Sequence, residues 1–466
     1  MYTRKESSKN SYYPSFLCME VDTPDYLDNL AVIPLDERTE AAFLHEYIHY
    51  LQDLTTVTGH ARIETIVDQV KWAAEECSKH KNIYVPFDAS STYKFNMKPN
   101  YTSLNICKGD FKVKNVHGYY IAPKIQEVLS FQLENSSIDL PNGVKTHGDI
   151  DAVLLFKDEN GNSHKYKVGE LAISESMAYL IENMIYKNVL QKGNDCPYEV
   201  VRNITNWKLN QSVDDLVLIA ICDVCLMYLF PGKVLYHLLE YLYTYKGKIT
   251  PALIYIYGLG PSIPKLFNSK ESWVQEFEKV SSTSRNQFRD YFNHPQWEHI
   301  MNAVFVSYDA AIKMRIDNPT FFLDIACGGI IPLNNAFKKV YSVVGCLSVK
   351  TSSDLIYNIT PYNYSEDYID ADWFISLHQL YNILFTTDAI KISSYDGTRC
   401  IEKKCELKEW CHNSFTMKGE VDITETSSNC KYSPWLNVST DTIKQCSFGR
   451  LWTVYGFNRV RLKLKN

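Results

Sequence analysis

The segment Thr39-Glu40-Ala41-Ala42-Phe43-Leu44-His45-Glu46-Tyr47-Ile48-His49-Tyr50-Leu51-Gln52-Asp53 constrains this chain more than any other. It holds neither proline nor glycine, and Phe43, Leu44, Tyr47, Ile48 and Leu51 recur at helical spacing. A helix is therefore expected over residues 37–58, with Gly59 as its stop. On that helix His45 and His49 lie one turn apart on one face. Two imidazoles so placed can reach one divalent ion such as Zn2+. Glu46 then faces the ion's open position, where a carboxylate can take a proton from water and later hand it to a leaving group. The pattern is rare by chance: with 12 histidines in 466 residues it is expected on the order of 0.02 times per chain.

A catalytic ion of this kind usually has three protein ligands and a water. The third ligand is not expected nearby, because the helix runs on through Gln52 and Thr55, and His60 is too far along. The best distant candidate is Glu175, within Glu170-Leu171-Ala172-Ile173-Ser174-Glu175-Ser176-Met177-Ala178-Tyr179-Leu180-Ile181-Glu182. Ala178, one turn on, is small enough to let this second helix, expected over 170–186, pack closely on the first. Glu182, two turns later on the same face, is a rival, as are Glu170 and His164. Gln52 and Asp53, one turn past His49, either orient a ligand imidazole or belong to a solvated face.

His45, Glu46 and His49, followed by Glu175-Ser176-Met177-Ala178, resemble the gluzincin branch of the zincin metallopeptidases over roughly residues 30–190. The resemblance implies a zincin-like catalytic region in which a mixed sheet accompanies an active-site helix and a third-ligand helix. It implies zinc held by His45, His49 and Glu175, with Glu46 as general base. It also implies hydrolysis of peptide bonds in a selective protein or peptide substrate. The separation of 126 residues (175 minus 49) exceeds that of compact members, so an insertion is expected between the two helices. The family places a Tyr or His at the developing oxyanion; Tyr236, His237 and Tyr241, on a predicted helix, are the candidates here. Two alternatives fit the same residues: an inactive zincin-like scaffold that binds a protein partner, and a metal hydrolase acting on a non-peptide amide.

The organisation expected is α+β. Residues 1–190 form the zincin-like region with an insertion around 84–150, residues 191–389 a mainly helical region, and residues 390–466 a mixed, cysteine-containing part. Short extended pieces are expected around 16–19 and 30–33. Extended runs at 152–156 and 165–168 flank Asp158-Glu159-Asn160-Gly161-Asn162, a strong hairpin signal. Because the second helix follows this hairpin directly, a sheet edge is expected beside the cleft. Pro231, Pro251 and Pro261 break the helical stretch from 213 to 316, and a further helix is expected over 368–385.

Composition excludes other classes. Hydrophobic residues at 45% and charged residues at 22% describe an ordinary globular chain. A net charge of -6 and a pI of about 6.1 speak against a nucleic-acid partner. The longest apolar run, 216–230, is interrupted by Asp223 and is too short to span a bilayer, so no membrane partner is expected. Residues 1–10 lack the apolar stretch of a secretory signal, and the 13 cysteines are an odd number, so a cytoplasmic protein with reduced thiols is expected.

Cys400, Cys405, Cys411 and Cys430, with Cys446 beyond, could hold a second, structural zinc, but they lack paired C-x-x-C spacing. Cys222 and Cys225 sit in an apolar helical run and read as buried, inert thiols. His294 and His299 fit no metal spacing, and Gly328-Gly329 lacks the flanks of a phosphate loop. Alternating basic and apolar residues over 459–465 read as a strand guarding a sheet edge, or as a basic strip for a partner.

Overall fold

The computed structural model describes residues 10–23, 35–87, 108–114, 120–139, 145–187, 189, 194–261, 271–353, 355–359, 361, 370–386, 391–395, 398–402, 404–408, 411, 430, 434–436, 446–459 and 461–464. The described residues form a mixed α+β structure. Its strands are β1 (Ser11–Tyr13), β2 (Cys18–Val21), β3 (Asn82–Val85), β4 (Val113–Lys114), β5 (Tyr120–Ile121), β6 (Glu127–Asp139), β7 (Lys145–Lys157), β8 (Ser163–Val168), β9 (Cys346–Thr351), β10 (Ile356–Ile359), β11 (Lys391–Tyr395), β12 (Thr398–Glu402) and β13 (Arg461–Leu464). Its longer helices are α1 (Glu37–Thr55), α2 (Val57–Lys79), α3 (Glu170–Ile185), α4 (Val200–Leu209), α5 (Asp215–Leu226), α6 (Pro231–Thr244), α7 (Pro251–Gly258), α8 (Trp273–Phe292), α9 (Glu298–Asp317), α10 (Phe321–Cys327), α11 (Asn335–Val344), α12 (Asp372–Phe385) and α13 (Ser447–Val454).

Two sheets frame the site. The first has the order β1-β2-β9-β10, with β1 antiparallel to β2, β2 parallel to β9 and β9 antiparallel to β10. It joins the N-terminal hairpin to residues more than 320 positions away (Cys18 pairs with Ser348). The second is the antiparallel sheet β6-β7-β8. Asp158 shapes its β7–β8 turn by accepting from the Asn160 and Asn162 amides at 2.9 and 2.8 Å. The C-terminal basic-apolar alternation forms β13, which pairs in parallel with β3. The expected extended piece at 30–33 lies outside the described residues.

α1 begins where its sequence provides a cap. Asp36 accepts from the amides of Arg38 and Thr39 at 3.1 and 3.0 Å, and Glu37 and Glu40 lie in the positive first turn. The helix is buried on nearly every side, from Glu40 through Thr55. Its end differs from expectation. Thr56 is extended, caps α2 through the Gly59 amide, and starts a new helix at Val57. Gly59 is therefore in the first turn of α2, not a stop after α1. A Cβ there would lie 2.4 Å from the Gln52 carbonyl oxygen and 2.5 Å from the Asp53 Cα. Only glycine lets α2 fold back this tightly over the last turn of α1.

α3 packs on α1 with Ala172 and Ala178 fully buried. Behind it lies α5, whose residues from Val217 to Leu226 are all buried. Within that apolar helix Asp223 meets Arg315 of α9 through two hydrogen bonds of 2.9 Å, and both side chains are wholly buried. No helix among the described residues is long and apolar enough to cross a membrane.

Candidate metal centre

α1 and α3 bring His45, His49 and Glu175 together. Among the described residues this is the one group of three or more His, Cys, Asp or Glu ligand atoms lying within 4.8 Å of one another. His45 Nε2 is 3.4 Å from Glu175 Oε2, and His49 Nε2 is 3.5 Å from the same oxygen. An ion with tetrahedral bonds of about 2.0–2.1 Å sets neighbouring ligand atoms about 3.3–3.4 Å apart. The observed separations fit that geometry.

The other nitrogen of each ring is anchored. His45 Nδ1 lies 3.0 Å from Glu182 Oε2, and the carboxylate accepts its proton. His49 Nδ1 lies 2.8 Å from Gln52 Oε1. The Gln52 Nε2 donates to the Ser174 carbonyl oxygen at 3.1 Å, which fixes the amide with its oxygen towards His49. Both rings are therefore held through Nδ1 and turn Nε2 towards Glu175. His49 Nε2 is buried and has no hydrogen-bond partner. An orphaned buried acceptor of this kind costs about 1–3 kcal/mol unless something meets it. A divalent cation does so, and the residues present fit one. Burial would raise the Glu175 carboxyl, but His49 and His45 outweigh it and hold it well below the usual range. It is therefore ionised, as a metal ligand would need to be.

Glu46 is 3% exposed, and its Oε2 accepts the Tyr12 amide of β1 at 2.7 Å. A small open pocket is lined by Ser11, Tyr12, Glu46, His49, Arg62 and Glu175, among others. The strand bordering this pocket is β1, not the β7–β8 hairpin expected there. The outer edge of β8 is already covered: Asp110 donates to the Lys167 carbonyl and accepts the Lys167 amide, both at 2.8 Å. β8 instead delivers the chain to α3 through Gly169.

Of the rival ligands, Glu182 orients His45 from behind, and His164 pairs with Asp158 at 2.8 Å in the hairpin turn. Glu170 pairs with Arg62, whose guanidinium also grips Asp53. Asp53 Oδ2 accepts from the Tyr12 hydroxyl at 2.6 Å and the Ser15 amide at 2.5 Å. Asp53 and Arg62 thus tie β1, α2 and the start of α3 to α1. Arg62 was not apparent in the sequence, where it sits in a plain amphipathic helix; the fold-back at Gly59, visible only in the structure, aims it at Asp53. Tyr236 packs on Phe131 and His237, and Tyr241 stacks on Tyr257; none of these three lines the pocket. The Tyr198 ring instead stands 6.3 Å from that of His45.

The side chain of Cys400 lies outside the described residues. Cys405, Cys411, Cys430 and Cys446 form no disulfide among the described residues, and no metal group among them includes a cysteine. Cys222 and Cys225 are fully buried in α5, and burial pushes both thiols up. His294 caps a short 3-10 turn, and His299 lies 3.3 Å from Asp370. No family model, no curated protein and no solved structure matches this chain.

Proposed function

We propose that this protein is a zinc-dependent, zincin-like peptidase whose ligands are His45, His49 and Glu175 and whose general base is Glu46. The observation that carries the reading is the convergence of two Nε2 atoms on one carboxylate oxygen, with Gln52 and Glu182 holding both rings from behind. Two neutral nitrogens and a carboxylate are the donor set of a catalytic rather than a sealed zinc site. A bound ion supplies Lewis-acid polarisation of a substrate carbonyl and acidifies water at its open position.

The chain's own groups do the rest. Tyr12 N–H holds Glu46 at Oε2, and the Glu46 carboxylate would take a proton from the attacking water and pass it to the leaving amine. β1 is the edge strand of its sheet, and its Tyr12 amide points away from β2 towards Glu46. The Tyr12 carbonyl shares that side of the strand and offers an acceptor to the N–H of an extended peptide. A selective protein or peptide substrate laid along β1 would carry its scissile bond over Glu46. Buried free thiols such as Cys222 and Cys225 suit a reducing, cytoplasmic setting.

Metal analysis and proteomics test this. The purified protein should carry one equivalent of zinc, and His45→Ala should lose it. Glu46→Gln should keep the zinc while new N-termini generated by the wild type in a proteome disappear, a loss of at least about 100-fold in rate. Zinc retained with a full biological effect in Glu46→Gln would favour a scaffold that binds a partner. Absence of zinc from the wild type would overturn the assignment.

A further inference from the structure

The corner built by the end of α6, its following loop and α7 exposes apolar side chains that the fold prevents from turning inward. Residues 241–261 contain no Asp or Glu, although the whole chain is acidic at -6. They do contain five tyrosines together with Lys246 and Lys248. Tyr243 is 61% exposed, Tyr245 38% and Ile256 74%. Ala252, one turn before Ile256 on the same helical face, is exposed as well. α7 carries no charged side chain at all.

The opposite face of α7 is locked. Tyr255 donates to Asp223 Oδ2 at 2.6 Å, and the Gly258 carbonyl accepts the Tyr228 hydroxyl at 2.6 Å. A Cβ on Gly258 would lie 2.2 Å from Val224 Cγ1, so α7 sits directly on α5. Rotation that hid Ile256 would tear Tyr255 from the buried Asp223. The loop is braced too. The Tyr241 ring stacks on Tyr257 with centroids 3.6 Å apart, and Tyr245 folds over Gly247. Lys208 spans Glu240 and the face of Tyr243, neutralising the nearest carboxylate in sequence. Among the described residues, Lys246 and Lys248 make no ion pair.

A rigid tip with exposed aliphatic and tyrosyl groups, carrying Lys246 and Lys248 and no carboxylate within residues 241–261, matches the interface of a lipid bilayer. A nucleic acid would use the tyrosines and lysines but has no use for Ile256 and Ala252. No membrane partner is expected from the sequence because it offers no span; a peripheral anchor requires none. We propose that this corner docks on anionic membrane surfaces, with Ile256 and Tyr243 entering the headgroup region and Lys246 and Lys248 facing lipid phosphates. The proposal is independent of the metal centre.

Vesicle flotation of the full-length protein tests it. Vesicles of equal parts phosphatidylcholine and phosphatidylserine should bind the protein at low salt, and vesicles of phosphatidylcholine alone should bind about tenfold less. The Lys246→Glu/Lys248→Glu variant should lose about tenfold or more on the anionic vesicles, since each lysine near such a surface is worth about a fivefold gain. Ile256→Ser should lose about tenfold at unchanged thermal stability, because its side chain leaves the fold's interior intact. Equal binding to both vesicle types, no binding to either, or wild-type binding by Ile256→Ser would overturn the proposal. So would a wild-type dimer that Ile256→Ser converts to monomer, which would make this face a contact between copies.

Discussion

Asp223 and His49 both sit on helices packed in the middle of the molecule, yet their surroundings close differently. Around Asp223 the protein answers the carboxylate: both oxygens accept from Arg315, and Tyr255 adds a third hydrogen bond, with only Arg315 Nε left without a partner. Around His49 the protein answers only one side of the ring. Gln52 holds Nδ1, and Nε2 is left facing Glu175 with no donor to meet it. A closed polar cluster is architecture; a cluster whose remaining donors all aim at one point needs something the chain does not supply. His60 sharpens the distinction. Its Nδ1 also lacks a partner, but the ring is wedged between Phe277 and Tyr308 and its Nε2 is spent on the Leu54 carbonyl at 3.0 Å. An orphaned nitrogen becomes a ligand only where other ligand atoms share its target.

Breaking the closed cluster should have the largest effect. Asp223→Ala leaves the Arg315 guanidinium buried without a counter-charge and should cost about 3–5 kcal/mol of stability. Chemical denaturation reads this, and the metal content of the folded fraction should not change. A loss below about 1 kcal/mol would place the pair among ornamental ion pairs. His60 comes next. Burial lowers its pKa from 6.5 to about 4, so the folded ring stays neutral while the unfolded ring takes a proton near 6.5. Its stabilising share is therefore complete above pH 6.5 and lost as pH falls towards about 4, by about 3 kcal/mol. His60→Gln should flatten that slope; parallel pH profiles for variant and wild type would refute the assignment.

The same contrast explains what could be read from the residues alone. Helical spacing over 43–51 and the His45–Glu46–His49 pattern are local, so α1 and the pairing of His45 with His49 on one edge were legible. Glu175 was legible because Ala178 and the Asn-Gly hairpin before it are local too. What could not be read is set by contacts between distant segments. β1 reaches Glu46 only because β2 pairs with β9, more than 320 residues away. Gly59 reads as a helix stop by composition, and only the backbone of Gln52 and Asp53 pressing on it reveals the fold-back. Arg62 lies in a plain amphipathic helix, and its partners Asp53 and Glu170 are brought to it by packing, not by spacing. Glu182 shares the face of Glu175 and so reads as a rival ligand; two turns of helix carry it past the His45–His49–Glu175 cluster to the back of His45.

The open cluster should respond to its missing partner. At about a hundredfold excess over its dissociation constant, a divalent ion that binds only the folded protein stabilises it by about 2.7 kcal/mol. Zinc added to chelator-stripped protein should therefore raise the melting temperature, and His49→Ala should abolish the rise. No shift in the wild type would mean that the three side chains converge without a guest. The smallest effect tests the back of the ring. Gln52→Ala leaves all three ligands in place but removes the acceptor that keeps the proton on His49 Nδ1. Zinc affinity should fall about 10- to 100-fold, or about 1.4–2.7 kcal/mol, by competition with a chromogenic chelator. Gln52→Glu keeps an acceptor at the same distance and should recover most of the loss. A Gln52→Ala variant that binds zinc as tightly as wild type would show that the ring needs no outside hold, and that the burial of α1 alone aims Nε2 at Glu175.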